Sequence, residues 1–482
     1  MIKRMKKILF ALCALAALAA CGKKNVQYHP EWTYSSVVYE VNIRQFSPEG
    51  SFKGVEAQLP RLKDLGVDVL WLMPMYEIGQ VERKGSLGSY YAISDYKKVN
   101  PEFGTMEDFE QLVSAAHAMG FKVILDWVAN QTAPDNVWMT EKPAEFYERD
   151  AEGNAIWEYD WTDTRSLNYA NEEVWWAQDD AMRFWLEKGV DGFRCDAAGE
   201  VPAEFWHAIL PKMNKDYPDI YLLAEAEREN LADPLVTFDA NYAWELHHLL
   251  NSLAQGSKSV KDLQEYVARD AARFPKEAFR LTFTSNHDEN SWSGTEFERE
   301  GGAANACAVL CFTLPGSQPL IYTGQEIGLN RRLEFFEKDP ITDWFPNEYT
   351  TFWKRLVNLK HNNPALAAGE RGGEMVWWEL PGTLAGRGVV AFHREVLGNK
   401  VIVLANFGIP APKEEAAEVQ EGNDNRPQGE KVAQPFQNLK GEPTPLHVKL
   451  DGKYVEAFTG ETYEEGERDF LLWPGDYVVL TK

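Results

Sequence analysis

Residues 192–197, Gly-Phe-Arg-Cys-Asp-Ala, and residues 220–226, Ile-Tyr-Leu-Leu-Ala-Glu-Ala, are short apolar runs that carry an acidic residue near their carboxyl end. Such runs alternate with longer amphipathic segments from residue 37 onward, a pattern typical of β-α units around a parallel sheet that is buried on both faces. The predicted strands are Val37–Ile43, Val67–Pro74, Phe121–Val128, Gly192–Ala197, Ile220–Ala226, Phe238–Trp244, Arg280–Ser285 and Gln318–Gly324. Eight such units predict an α/β fold with a closed (β/α)8 TIM barrel.

The other segments are arranged around this barrel. We assign the barrel to residues 37–130 and 173–372, because the polar and aromatic stretch 131–172 between them is longer than an ordinary loop. A short insertion of this kind after the third strand lies at the carboxyl face of a barrel and is expected to shape the substrate cleft. Residues 373–482 show the pattern of a C-terminal antiparallel β-sandwich, in which residues 408–429 are expected to form a mobile, solvated loop.

Residues 1–20 predict a bacterial signal peptide. Basic residues precede the apolar run Ile8–Ala20, which is too short to span a bilayer. The run ends in Leu-Ala-Ala-Cys, which resembles the lipobox whose cysteine thiol accepts diacylglycerol; the alternative is an ordinary secretory signal with an incidental cysteine. We expect an exported lipoprotein that is lipidated at Cys21. Residues 21–36 would link this lipid anchor to the barrel, and the anchor would hold the protein on the periplasmic side of a membrane or at the cell surface.

The composition of the chain disfavours some partners. A net charge of -25 argues against nucleic acid, because an acidic surface repels a polyphosphate. Hydrophobic residues make up 44% of the chain and charged residues 26%, which provides enough apolar material for a large core. Most of the 17 tryptophans are expected in that core, and a few are expected to stack against sugars.

Acidic residues stand at the ends of four predicted strands. They are Asp126, Asp196, Glu225 and Asp288. Because the carboxyl ends of barrel strands open into one shared mouth, we expect these four carboxylates to lie close together. Any one of them alone would more often cap a helix or pair with a cation, but four together indicate an active site.

Cleavage of a glycosidic bond needs two carboxyl groups, one to protonate the leaving oxygen and one to oppose positive charge at the anomeric carbon. Arg194 lies two residues before Asp196 on the same strand face, and we expect it to lower the pKa of Asp196 and keep this nucleophile ionised. Glu225 ends an apolar strand, where partial burial favours the protonated form of a general acid. Glu227 has the same facing and is the rival for this role.

Four segments resemble, in order, the signature regions of the α-amylase family of glycoside hydrolases. The likeness extends from about residue 37 to residue 362. The resemblance implies that Asp196 is the nucleophile, Glu225 the acid/base and Asp288 a third acid that grips sugar hydroxyls. The segments are Asp-Trp-Val-Ala-Asn at 126–130, Gly-Phe-Arg-Cys-Asp at 192–196, Leu-Leu-Ala-Glu at 222–225 and Ser-Asn-His-Asp at 285–288.

The resemblance also implies how the substrate is held. Arg194 and His287 are expected to contact the sugar, and Tyr91 is expected to stack beneath the sugar that is cleaved. Asp126 would support the site. The chemistry requires no cofactor, although many members bind a structural calcium ion through carboxylates of the insertion and the asparagine that Asn130 matches.

Two positions depart from the family pattern. Gln131 stands where a histidine usually binds the primary hydroxyl of the sugar; an amide still donates and accepts hydrogen bonds, so we expect an altered affinity or preference at this substrate contact. Ala198-Gly199-Glu200 follows the nucleophile where many starch-cleaving members have Lys-His, and this form resembles maltodextrin-cleaving relatives more closely.

The sequence therefore predicts a retaining glycosidase that cleaves α-1,4-glucosidic bonds of maltodextrin or starch through a covalent glucosyl-enzyme intermediate. Two alternatives use the same scaffold: a glucanotransferase, which passes the glucosyl unit to another sugar, and an α-glucosidase. A third alternative is a non-catalytic glycan-binding lipoprotein with a decayed site, which the replacement at Gln131 suggests. The presence of all three acids argues against decay.

Overall fold

The computed structural model of the chain describes residues 27–381, 384, 388–408 and 442–482. The predicted signal peptide, Cys21 and all but the first residue of the predicted 408–429 loop lie outside these ranges. In the described part of the chain, no helix is both long enough and apolar enough to cross a membrane.

Within the described residues, eight parallel strands close into a barrel, which confirms the predicted (β/α)8 fold. Each strand pairs with its two neighbours, and pairing of the first strand with the eighth closes the ring, as between Val38 and Leu320. Each predicted strand overlaps an observed one. The strands are β1 (Val38–Val41), β2 (Val69–Leu72), β3 (Lys122–Val128), β4 (Gly192–Asp196), β5 (Tyr221–Ala224), β6 (Ala240–Tyr242), β7 (Phe279–Thr282) and β8 (Ser317–Tyr322).

Helices surround this barrel: α1 (Phe52–Leu65), α2 (Met106–Ala118), α3 (Glu172–Glu187), α4 (Ala203–Asp216), α5 (Trp244–Ala254), α6 (Val260–Arg273), α7 (Ala304–Thr313) and α8 (Glu348–Asn362). At the start of α2 the Thr105 hydroxyl accepts the Asp108 N–H, while the Asp108 carboxylate accepts the Thr105 N–H.

One unit differs from the others. Residues 225–239, all of them described, connect β5 to β6 through a single 3-10 turn without an α-helix, and Asp233-Pro234 interrupts the helical pattern there.

Side chains along the barrel strands alternate between two apolar layers. On β2, Trp71 belongs to the cluster that fills the barrel interior, whereas Leu72 packs in the layer between strands and helices. On β3, Ile124 belongs to the interior cluster, so Asp126, two residues further on, also faces inward. The polar groups at the carboxyl end of the barrel therefore stand on an apolar layer that separates them from water below.

The C-terminal domain is antiparallel, and its described part contains β9 (Glu374–Trp377), β10 (Val389–Val396), β11 (Asn399–Asn406), β12 (Thr444–Leu450), β13 (Tyr454–Glu456), β14 (Thr462–Tyr463), β15 (Gly466–Leu472) and β16 (Tyr477–Thr481). One sheet has the order β9-β10-β11-β16-β13-β14, and the neighbouring strands β12 and β15 form a second sheet. Side chains of both sheets share an apolar core. This arrangement confirms the predicted β-sandwich. The sequence pattern predicts five strands here, Met375–Leu380, Gly388–His393, Lys400–Asn406, Tyr454–Ala457 and Asp476–Leu480. It does not predict β12, β14 or β15, although side chains of β12 alternate between buried and exposed.

Candidate active site

Arg194 lies at the centre of the carboxylates that the sequence predicts. Its Nη1 lies 2.9 Å from both Asp126 Oδ1 and Asp196 Oδ1, and its Nη2 lies 2.9 Å from Glu225 Oε2. Its Nε donates to the Tyr242 hydroxyl at 3.1 Å. One fully buried guanidinium group therefore holds three carboxylates that come from β3, from β4 and from the residue after β5.

Burial raises the pKa of two of these acids, and the charge of Arg194 opposes the rise. Burial raises the pKa of Asp196 well above that of a free aspartate, the charge of Glu225 adds to the rise, and Arg194 opposes it. Burial likewise raises the pKa of Asp126 against the effect of Arg194. Arg194 does lower the pKa of Asp196 by its own contribution, but the predicted net fall is wrong, because one cation that is shared with other acids does not offset the burial of Asp196 and the charge of Glu225.

Glu225 and its rival Glu227 face different partners. Glu225 Oε2 accepts the N–H of Ala197, the residue that follows the β4 acid, at 2.8 Å. Glu227 instead accepts a backbone N–H at the start of α5 at 2.9 Å and pairs with Arg280. Ala197 has a φ of 42°, in the left-handed region that residues with a side chain rarely adopt. This strained turn directs its N–H toward Glu225.

Asp288 belongs to a second cluster of charged groups. His287 Nε2 lies 3.3 Å from Asp288 Oδ2 and 2.7 Å from the Tyr91 hydroxyl, while its Nδ1 lies 2.5 Å from Glu40 Oε1. Burial lowers the pKa of His287, but the charges of Asp288 and Glu40 outweigh burial and raise it to about 9. His287 is therefore an imidazolium at neutral pH. The Tyr91 ring stacks on it at 5.4 Å, and the Tyr91 hydroxyl donates to Asp126.

Glu40 is a site residue that the sequence analysis missed. It is fully buried within β1, and its only sequence signal is an acid inside an apolar strand, Val-Tyr-Glu-Val. Burial raises the pKa of Glu40, while His287 opposes the rise. A buried acid is expected to be paired, and Glu40 is held beneath His287 at the floor of the site.

Gln131 and Asn130 lie where the insertion leaves the barrel. Gln131 is buried at the cleft, and its Oε1 has no hydrogen-bond partner among the described residues. An unpaired buried amide oxygen is costly, and a hydrogen bond from a ligand hydroxyl would remove that cost. Asn130 donates its amide to Glu158 Oε2 at 3.0 Å. In the described ranges, no group of three or more His, Cys, Asp or Glu side chains could hold a metal ion.

The carboxylates open into a cleft of about 910 Å³ whose lining includes several aromatic side chains. Tyr159 and Trp161 of the insertion line one side. On another side, rings follow one another outward from Tyr91, since Phe335 lies 6.3 Å from Tyr91 and Trp292 lies 5.2 Å from Phe335, between ring centroids. Trp292 is 56% exposed. These rings carry little signal in the sequence, although Trp292 follows the last signature acid by four residues.

Comparison with known proteins identifies the family of the chain. The family model of the α-amylase catalytic domain matches residues 24–365. The chain belongs to the α-amylase family of glycoside hydrolases. This confirms the resemblance seen in the sequence, and members of the family need no cofactor for the chemical step.

Individual relatives show how far the similarity extends. α-Amylase MalA of Haloarcula japonica is 30% identical over 390 residues, which is 79% of this chain and 56% of that protein, so the chain spans little more than half of it. An oligo-1,6-glucosidase of Heyndrickxia coagulans is 27% identical over 394 residues, or 64% of this chain and 70% of that protein. The crystal structure of an α-amylase from Lactobacillus plantarum has a TM-score of 0.76 at 30% identity and covers 93% of this chain and 99% of that one.

The raised pKa of His287 predicts how stability depends on pH. Its pKa is about 9 in the folded chain against a reference of 6.5, so the stabilisation it provides is fully present below pH 6.5 and is lost as the pH rises through 9. We expect the free energy of unfolding, measured by urea denaturation, to fall between pH 6.5 and 9 in the wild type and to fall less in His287→Gln. The exposed His248 provides the control, and a His287→Gln curve that matches those of wild type and His248→Gln would contradict the assignment.

Proposed function

We propose that the chain hydrolyses α-1,4-glucosidic bonds of maltodextrin or starch with retention of configuration. The observation that carries the proposal is that Arg194 contacts both Asp196 and Glu225 at 2.9 Å beside the cleft. A retaining glycosidase needs two carboxyl groups close together, because one attacks the anomeric carbon while the other protonates the leaving oxygen of the same bond. Membership of the α-amylase family supports an α-glucan as the substrate.

In the first step, Glu225 donates its proton to the glycosidic oxygen, and an oxygen of Asp196 bonds to the anomeric carbon as the bond to the leaving sugar breaks. In the second step, the Glu225 carboxylate takes a proton from water, whose oxygen displaces Asp196 and releases the sugar. Burial raises the pKa of Asp196 in the free site. Positive charge that develops at the anomeric carbon favours the ionised form and counters this effect.

The second cluster is suited to hold the sugar at the point of cleavage. The His287 imidazolium donates hydrogen bonds, and the Asp288 carboxylate beside it accepts them, so together they can bind neighbouring sugar hydroxyls. Tyr91 offers its ring face to the same sugar. Phe335 and the exposed Trp292 continue this aromatic surface, which favours a chain of glucose units over a single one.

Substitutions of the two rival acids test the assignment of roles. We expect Glu225→Gln to lose about 10²- to 10⁴-fold in kcat on maltoheptaose, the usual contribution of general acid-base catalysis. Its kcat/KM on α-maltosyl fluoride should fall much less, because this constant reports formation of the glycosyl-enzyme and fluoride leaves without a proton. Glu227→Gln should lose less than tenfold on both, since its carboxylate pairs with Arg280. Asp196→Asn should lose several orders of magnitude on both substrates.

Product analysis completes this experiment. Retention predicts that the first product seen by NMR is the α-anomer, and a first product of the β-configuration would overturn the mechanism. Oligosaccharides longer than maltoheptaose would indicate a glucanotransferase, and glucose as the sole early product would indicate an α-glucosidase. Cleavage of pullulan at its α-1,6 links in preference to maltoheptaose would contradict the proposed α-1,4 specificity.

Gln131 is expected to bind the substrate through an amide that does not titrate. Gln131→Met keeps a similar length without hydrogen bonds, and we expect its kcat/KM on maltoheptaose to fall by about tenfold or more, the cost of a lost buried hydrogen bond. Gln131→His should retain more activity but gain an inflection between about pH 6 and 7 in its kcat/KM profile, because a histidine titrates there. Equal activity in Gln131→Met and wild type would exclude the contact.

We further propose that the chain is exported and anchored through Cys21. The support is the sequence alone, a basic start and an apolar run that ends in Leu-Ala-Ala-Cys, and these residues lie outside the described part of the chain. In a bacterial host fed an alkyne fatty acid, the wild type and Cys13→Ser should become labelled, whereas Cys21→Ser should not. Unlabelled wild type, or a labelled Cys21→Ser variant, would contradict the proposal.

A further inference from the structure

A second cavity lies away from the catalytic cleft, where the barrel meets the C-terminal domain. Its volume is about 310 Å³, within the range of small-molecule sites. Its walls come from α6, from the turn before β8 and from the segment that leads into β9. They include Tyr266, Phe274, Gly316, Met375 and two arginines, Arg280 and Arg394.

Arg394 is a buried cation without an acidic partner. It is 1% exposed, and it donates to the backbone carbonyls of Gly373, Leu314 and Thr313 at 3.1, 3.0 and 3.3 Å. In the described part of the chain it contacts no carboxylate, and burial lowers its pKa to about 9. Nearby Lys360 is also buried and donates only to backbone carbonyls among the described residues, and burial together with the charge of Arg394 lowers its pKa well below the ordinary value of a lysine.

Arg280 lines the same cavity and carries donors that have no hydrogen-bond partner among the described residues. Its Nη2 contacts Glu227 and lies 3.2 Å from Asp270 Oδ1, so its charge is balanced on one edge of the guanidinium group. Its Nε and Nη1 are buried and have no hydrogen-bond partner among the described residues. The guanidinium carbon lies 3.8 Å from the centre of the Phe274 ring, which fixes the plane of the group.

We infer that this cavity is a binding site for a small organic anion whose carboxylate or phosphate group meets Arg280 and Arg394. Guanidinium groups present paired N–H donors that match both kinds of head group, and an anion would offset the uncompensated charge of Arg394. The apolar side chains of Tyr266, Phe274 and Met375 provide surface for a carbon skeleton, which an inorganic ion could not use. The inference does not depend on the chemistry proposed for the cleft.

Calorimetric titration of the full chain tests this inference. The probes are glycerol 3-phosphate, citrate and inorganic phosphate at constant ionic strength, with glycerol as the neutral control. We expect saturable binding of at least one of the two organic anions, weaker binding of inorganic phosphate and none of glycerol. A preference for glycerol 3-phosphate would identify a phosphate ester as the ligand class, and a preference for citrate a carboxylate. No saturable binding of either organic anion, or equally tight binding of inorganic phosphate, would overturn the inference.

Variants locate the binding. Arg394→Gln and Arg280→Gln should each weaken it by at least about tenfold, the effect of losing a hydrogen bond to a charged group. Ala271→Phe, an exposed position on α6 at the cavity wall, should block entry while leaving both arginines and the fold intact. Arg332→Gln removes a half-exposed arginine elsewhere and should bind as the wild type does. Unchanged affinity in Ala271→Phe, or in whichever of the two cavity-arginine variants folds, would overturn the assigned site.

Discussion

The contact of Arg194 with three carboxylates is the interaction on which the rest of the active site depends. Three acids on adjoining strands would repel one another above an apolar layer, where charges are poorly screened, and the buried cation makes their proximity tolerable. The closed barrel provides the rigid frame for this arrangement, because each strand end is fixed by two neighbours. Closure of the barrel therefore determines where the three acids and Arg194 lie relative to one another.

Local patterns in the sequence were sufficient for most of the fold. The barrel strands are continuous apolar runs, and acids at their ends identified Asp196 and Glu225 before any contact was known. The pairing of β12 with β15 is harder to recognise from the sequence than the barrel strands, because both strands are polar on one face. Glu40 was missed for a related reason. Its partner His287 is 247 residues away, and only closure of the barrel brings them together.

The acidity of Asp196 shows what sequence reasoning could not supply. A neighbour two residues away on a strand can be inferred from spacing, and the ionic contact with Arg194 exists as expected. The depth of burial and the sharing of one cation among several acids depend on the folded environment. Burial and the shared cation together determine that the pKa of Asp196 is raised and not lowered. The same limit applies to Arg394, whose lack of an acidic partner among the described residues emerges only from the packed interface.

The left-handed backbone at Ala197 restricts how this site could be diversified. Branched side chains at Cβ cannot readily adopt a φ of 42°, whereas glycine, asparagine and aspartate tolerate it. A random library would therefore yield few functional variants beside the nucleophile. Gly199 and Glu200, a short distance along the same segment, line the cleft without that backbone constraint. New specificities on this scaffold would arise more readily from the walls of the cleft than from its floor.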